Sequence, residues 1–152
     1  MAARTKAIPE GYEAVTPYLV VKDAARAIDF YKQAFGATEL LRYDDGGKIG
    51  HAELRIGEGI VMLADEYPER GITGPQSGHS SAVSLMMYVE DVDDVVARAE
   101  QAGATVERPV ADQFYGDRAG GILDPFGHRW HIATHVEDVP PEELAERAAK
   151  AG

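Results

Sequence analysis

The apolar run from Thr16 to Val21 gives way, after Asp23, to apolar residues at helical spacing: Ala24, Ala27, Ile28, Tyr31 and Phe35. The run predicts a strand, with Pro17 near its start or on an edge. The later spacing predicts a helix with one apolar face. Asp23 suits the N-cap, because its carboxylate accepts from free N–H groups of the first turn. Gly36 suits the left-handed stop. Three strand-like runs follow, near Thr38–Tyr43, Ile49–Ile56 and Ile60–Asp65. Glycine turns at Asp44-Asp45-Gly46-Gly47 and Gly57-Glu58-Gly59 separate them and predict an antiparallel meander.

The same order then recurs. Val21-Lys22-Asp23 matches Val89-Glu90-Asp91 at an offset of 68, and Gly36-Ala37-Thr38 matches Gly103-Ala104-Thr105 at an offset of 67. A strand is expected from Ala82 to Val89, then a helix capped by Asp91 with Val92, Val95, Val96, Ala99 and Ala102 on its apolar side. Further strands are expected near Thr105–Arg108, Gly116–Leu123 and His128–Thr134. Asp124-Pro125-Phe126-Gly127 reads as the turn before the last of these. A unit of this length is too long for a solenoid repeat and too short for an independent domain. The chain is therefore read as one domain, 1–152. Module one covers about 12–66, a linker loop about 67–80, module two about 81–138 and a C-terminal helix about 140–150. Residues 1–11 read as a loose arm, and His79 as a solvated residue of the Gly/Ser-rich loop. The fold class is α+β: two tandem βαβββ modules forming a curved, partly closed mixed sheet with the helices outside. Their packing around one cleft is where function is expected.

Composition narrows the function classes. The formal charge is −11, which disfavours nucleic acid and anionic membrane surfaces, since both would repel the chain. The absence of cysteine removes disulfides, thiolate catalysis and Cys-ligated metals. No apolar run has the length of a membrane span and no signal-peptide core is seen, so a cytoplasmic location is expected. There is no phosphate-cradling glycine loop, nucleophile elbow or metalloprotease His-Glu-x-x-His.

Several spaced motifs resemble the glyoxalase/bleomycin-resistance group, the vicinal oxygen chelate superfamily, and within it the PhnB-like branch. They are the run from Thr16 to Tyr31, His51-Ala52-Glu53, Met62 to Glu66, Tyr88 to Val92, Phe114 to Arg118 and Asp124 to Trp130. The resemblance implies that metal-dependent members hold a divalent ion with side chains from the first and last strand of each module. Those positions fall here on Thr16, Met62, Ser84 and His131. Hydroxyls and a thioether are poor ligands for zinc or nickel, and His131 alone is orthodox. The expectation is therefore a small-molecule binding protein of the bleomycin-resistance type with no metal or other cofactor. Its ligand would be small, and aromatic or cationic. A homodimer is implied by the resemblance.

The ligand-binding residues expected are Thr16, His51, Glu53, Met62, Ser84, Met86, Phe114, Tyr115, Arg118 and His131. Phe114 and Tyr115 could wall a planar ligand, and Arg118 could hold an anion or brace its loop. The alternative is a lyase or isomerase of the same superfamily. It would use either a displaced divalent metal on His51, Glu53 and His131 or Glu53 as general base, for which burial would have to raise the Glu53 pKa. Trp130 is read as core or dimer interface.

Overall fold

The computed structural model describes residues 5–76 and 81–152. His79, with Ser77 and Gly78 of the linker, lies outside the described residues. Among the described residues two compact units emerge, one of 5–32 and 36–74, the other of 33–35, 75–76 and 81–152.

The first unit follows the expected order: β1 (Tyr18–Val21), α1 (Ala24–Phe35), β2 (Thr38–Asp45), β3 (Lys48–Ile56) and β4 (Gly59–Asp65). A 3-10 turn, Pro68–Arg70, closes it. The sheet order is β1-β4-β3-β2, with β1 parallel to β4 and the other pairs antiparallel. The Asp23 carboxylate accepts from the Arg26 N–H, and Gly36 ends α1 at φ 67°. Only glycine adopts this left-handed geometry without a Cβ penalty. The core is the buried stripe Ala24, Ala27, Ile28 and Tyr31 together with Leu19, Val21, Ala52, Leu54 and Leu63.

One irregularity matters for the site. Tyr43 pairs with His51 but Asp44 pairs with Ile49, so Gly50 is an extra residue in β3. Strict alternation would put Ile49 on the same face as His51 and Glu53. The bulge turns Ile49 into the core, where it is 4% exposed, while His51 and Glu53 keep the other face.

The second unit repeats the plan: β5 (Leu85–Tyr88), α2 (Val92–Gln101), β6 (Thr105–Asp112), β7 (Asp117–Leu123), β8 (Arg129–His135), then α3 (Pro141–Ala151). The sheet order is β5-β8-β7-β6, again with one parallel pair, β5 with β8. Helix α2, capped by Asp91, packs against β6, β7 and β8. The eight strands thus form two four-stranded mixed sheets, one per module, and neither closes on itself. Strands β1 and β5 begin later than the apolar runs suggest, and β6 runs on to Asp112 through Pro109. Trp130 is core, 3% exposed. Its indole N–H donates to Asp124 at 2.9 Å and its ring lies 4.8 Å from that of Phe35.

The repeat extends to how each helix is anchored. In the first unit Asp65, on β4, accepts from the backbone N–H of Ala24 at 2.8 Å and of Ile49 at 2.7 Å. In the second, Thr134, on β8, accepts from the Val92 N–H at 2.9 Å and donates to the Val89 carbonyl at 2.9 Å. A last-strand side chain meets the first helical N–H in both cases, satisfying a donor that the helix itself leaves open. Among the described residues no helix is long and apolar enough to cross a membrane.

Candidate functional site

Residues paired across neighbouring strands point to the same face of a sheet. In the first sheet Tyr18 pairs with Met62, and Met62 with Glu53. These three form a row across β1, β4 and β3. His51 stands two places from Glu53 on β3, opposite Tyr43 of β2. The face opposite the core therefore carries Tyr18, Met62, Glu53, His51 and Tyr43.

Three of its polar groups and Tyr12, from the segment before β1, are joined in one chain of hydrogen bonds. The Tyr18 hydroxyl is 2.7 Å from His51 Nδ1, His51 Nε2 is 2.7 Å from Glu53 Oε2, and the Tyr12 hydroxyl donates to Glu53 Oε1. Glu53 is 7% exposed, whereas the Tyr18 and Tyr43 rings are 49% and 61% exposed. Both rings lie close to the imidazole, at 5.4 and 5.9 Å between centroids.

Burial pushes the Glu53 pKa up, but hydrogen bonds from Tyr12 and His51 and the nearby imidazole outweigh it, and the net shift is downward. The Glu53-as-base reading required the opposite sign. Glu53 is a standing carboxylate, and a carboxylate only accepts hydrogen bonds. Nε2 of a neutral His51 therefore carries the proton, and Nδ1 is left to accept from Tyr18. Burial and then the Glu53 charge raise the Tyr18 pKa, so its hydroxyl keeps its proton at neutral pH. For Tyr12 the hydrogen bond to Glu53, then burial, raises the pKa.

The other expected residues divide as follows. Thr16 lies just before β1, its hydroxyl 3.4 Å from the Glu13 carbonyl, and Ser84 lies just before β5. In the second sheet Met86, His131, Gly121 and Arg108 form a row. An Arg108 guanidinium nitrogen is 3.4 Å from His131 Nδ1. Phe114 and Tyr115, both exposed, meet edge to face at 5.2 Å between β6 and β7. Arg118 grips Asp93 with two nitrogens, at 2.7 and 3.0 Å, and reaches Asp112 at 3.2 Å. Its charge is thus already answered by two carboxylates, the bracing arrangement weighed above.

The second unit has its own buried carboxylate. Asp117, 4% exposed, accepts from the Tyr88 hydroxyl at 2.9 Å and lies 2.8 Å from His135 Nδ1. His135 Nε2 is 2.7 Å from Asp138. The Asp138 and then the Asp117 hydrogen bonds raise the His135 pKa.

Two donor sets bear on a divalent ion. Thr16 and Met62 offer the first module a hydroxyl and a thioether, and Ser84 and His131 offer the second a hydroxyl and an imidazole. In the displaced set, His51 and Glu53 are already engaged with each other, and His131 belongs to the second unit. Among the described residues no group of three or more His, Asp or Glu side chains is arranged to hold a metal ion. These donors do not fit a zinc- or nickel-type centre.

A cavity of about 360 Å³ lies elsewhere in the first unit, lined by Lys22, Asp23, Gly47, Lys48, Asp65, Glu66 and Pro68. Its polar groups serve the fold. Asp65 anchors α1, Lys48 donates to the Glu66 carbonyl at 2.8 Å, and the Glu66 carboxylate accepts from the Gly74 N–H at 2.7 Å.

Tyr12, Tyr18 and Tyr43 were absent from the expected site. Tyr18 was detectable. It lies 68 positions before Met86, itself an expected site residue, and one alternation beyond Thr16. Tyr43 lies next to a turn, and only the register of β2 places it against His51. Tyr12 adjoins the segment read as a loose arm, and no local signal ties it to Glu53.

Known proteins point the same way as the topology. The Mycobacterium tuberculosis protein Rv0887c is 43% identical over 144 residues, covering 91% of this chain and 84% of that one. Among solved structures, TioX from Micromonospora sp. ML1 is 32% identical with a TM-score of 0.64, covering 82% of this chain and 99% of that one. The PhnB protein of Bacillus cereus, 20% identical with a TM-score of 0.62 over 80% of this chain and 99% of that one, shares the fold. The model of the Glyoxalase/Bleomycin resistance protein/Dioxygenase superfamily matches residues 13–132, and this chain belongs to that superfamily.

Proposed function

We propose that this chain is a small-molecule binding member of its superfamily, of the bleomycin-resistance type and on the PhnB-like branch, and that it works without a metal. The ligand is partly aromatic and cationic and lies on the polar face of the first sheet. The observation that carries this reading is Glu53. A carboxylate held ionised at 7% exposure is costly unless it is paired. Among the described residues the one basic group within ion-pair distance is His51. A cation arriving at this face would complement that charge, and the exposed Tyr18 and Tyr43 rings offer it stacking and cation–π contact.

Met62 supplies an adaptable apolar floor between Tyr18 and Glu53. Met86 and His131, the corresponding row of the second sheet, are assigned the same kind of contact in their own unit. A homodimer belongs to this reading, and sedimentation of the purified protein checks it. The lyase or isomerase alternative loses ground in the form that makes Glu53 the base, because a carboxylate of lowered pKa is a weak proton acceptor.

Titration calorimetry with bleomycin, in the presence of a chelator, tests the proposal. Saturable heat is expected from the native chain and is expected to fall sharply in Glu53→Gln. No heat with bleomycin or with a planar cationic dye such as ethidium would remove the reading. Equal binding by native protein and Glu53→Gln would remove Glu53 as the anchor.

A further inference from the structure

The hydrogen-bond chain on the first sheet has a direction. Glu53 accepts only, so in its neutral form His51 donates from Nε2 and presents the Nδ1 lone pair to Tyr18, at 2.7 Å. Tyr12 holds the second oxygen of Glu53, which keeps the carboxylate from turning away. The far end is the Tyr18 ring, 49% exposed, beside Met62 and within 5.4 Å of the imidazole. A hydroxyl at the open end, a base in hydrogen-bond contact with it and a third group orienting the base are the three parts of an activated proton-transfer centre. A carboxylate needed only to attract a cation has no use for an ordered imidazole between itself and a solvent-facing phenol.

We propose that Tyr18, His51 and Glu53 form a proton relay that gives this face acid–base chemistry toward a bound carbon acid, an aromatic or carbonyl-activated molecule with a removable C–H proton. In the forward step the substrate C–H bond breaks and its proton bonds to Tyr18 Oη. The phenol's own proton passes to His51 Nδ1. The electron pair left on carbon moves into the substrate's electron-withdrawing group. His51 becomes imidazolium, and the Glu53 carboxylate beside Nε2 stabilises that charge. Reversal through Tyr18 returns a proton to the substrate or to a neighbouring atom of it, so the cycle balances with no oxidant, reductant or second reactant. Tyr18 is the catalytic residue because it touches the substrate, and His51 takes up its proton. Glu53 and Tyr12 are positioning residues. The other groups facing this centre are Tyr43 from β2, Met62 from β4 and, two places beyond Glu53 on β3, Arg55. Arg55 carries a charge that acts on Tyr12.

The relay rests on the binding face proposed above but is tested apart from it. The probe is 5-nitrobenzisoxazole, whose ring opens to a coloured phenolate when its C–H proton is removed. The native chain is expected to open it faster than an equal concentration of free imidazole. Tyr18→Phe and His51→Ala are each expected to lose about tenfold or more, within the range of general acid–base effects. Added imidazole is expected to restore His51→Ala and not Tyr18→Phe, and that rescue also shows the variant to be folded. Glu53→Gln is expected to shift the pH profile of the rate, with Glu53→Asp restoring part of it, while Arg147→Gln leaves the rate unchanged. A native rate no better than imidazole, full activity in Tyr18→Phe, or equal imidazole rescue of both variants would each overturn the relay. Bleomycin binding with no probe turnover would sink the relay alone. Turnover with no bleomycin binding would sink the ligand reading alone.

Discussion

A single carboxylate carries much of the site's behaviour. Glu53 has a folded pKa below its unfolded value. Its contribution to stability is therefore present above the unfolded value, about 4.3 for a free glutamate, and is lost as pH falls through the folded one. Acidification through that window is expected to lower the urea midpoint of the native protein. Glu53→Gln should flatten that part of the curve and lower the midpoint at neutral pH. Denaturation followed by Trp130 fluorescence between pH 3 and pH 7 would show it, and superimposable curves for the two proteins would rule it out. The residue types at this position were legible in the sequence, since His51 and Glu53 stand one alternation apart. The sign of the shift was not legible, because two hydrogen bonds from residues 2 and 41 positions away oppose the effect of burial.

At the scale of elements, the two modules solve one problem with different chemistry. The first N–H of each module's helix is met by a side chain from that module's last strand, the Asp65 carboxylate in one and the Thr134 hydroxyl in the other. Hydrogen bonds to charged groups are worth more than neutral ones, and Asp65 serves two buried donors where Thr134 serves one. Asp65→Ala is expected to cost about 2–4 kcal/mol and Thr134→Val about 1–2 kcal/mol. Urea unfolding of both variants measures this, and the reverse order would show the capping account to be wrong. The helices, their Asp caps and the turn at Asp124 were legible because each depends on residues within a few positions of one another. The bulge at Gly50 was not. Both readings of β3, with and without it, satisfy local strand preferences, and only the pairing of Tyr43 with His51 and of Asp44 with Ile49 decides between them.

Across the whole molecule, the second unit is extended by a segment that binds the turn between β6 and β7. Val136 and Glu137 donate from their backbone to the Gly116 carbonyl at 2.9 and 3.0 Å. Arg147 of α3 bridges Glu137, Glu143 and the Phe114 carbonyl. Gly116 has φ 98°, and a Cβ there would stand 2.2 Å from the Glu137 carbonyl oxygen. Gly116→Ala is expected to cost more than about 2 kcal/mol, from backbone strain and displacement of that segment together. Thermal unfolding with a midpoint unchanged from the native chain would show that the close approach is not needed. This contact brings together residues 116 and 137, and nothing in the local pattern of either predicts it.

The order of elements, the duplication, the helix ends and the alternating His51 and Glu53 follow from the sequence alone. Each is set by dihedral preference and periodicity acting over a few residues, and the same motif appears twice. The tertiary structure decided which hydroxyls reach Glu53 and His51, which guanidinium is already neutralised, and whether the buried carboxylate gains or loses its proton more readily. Those depend on strand register and on contacts between distant residues, where a shift of one position sends a side chain to the opposite face.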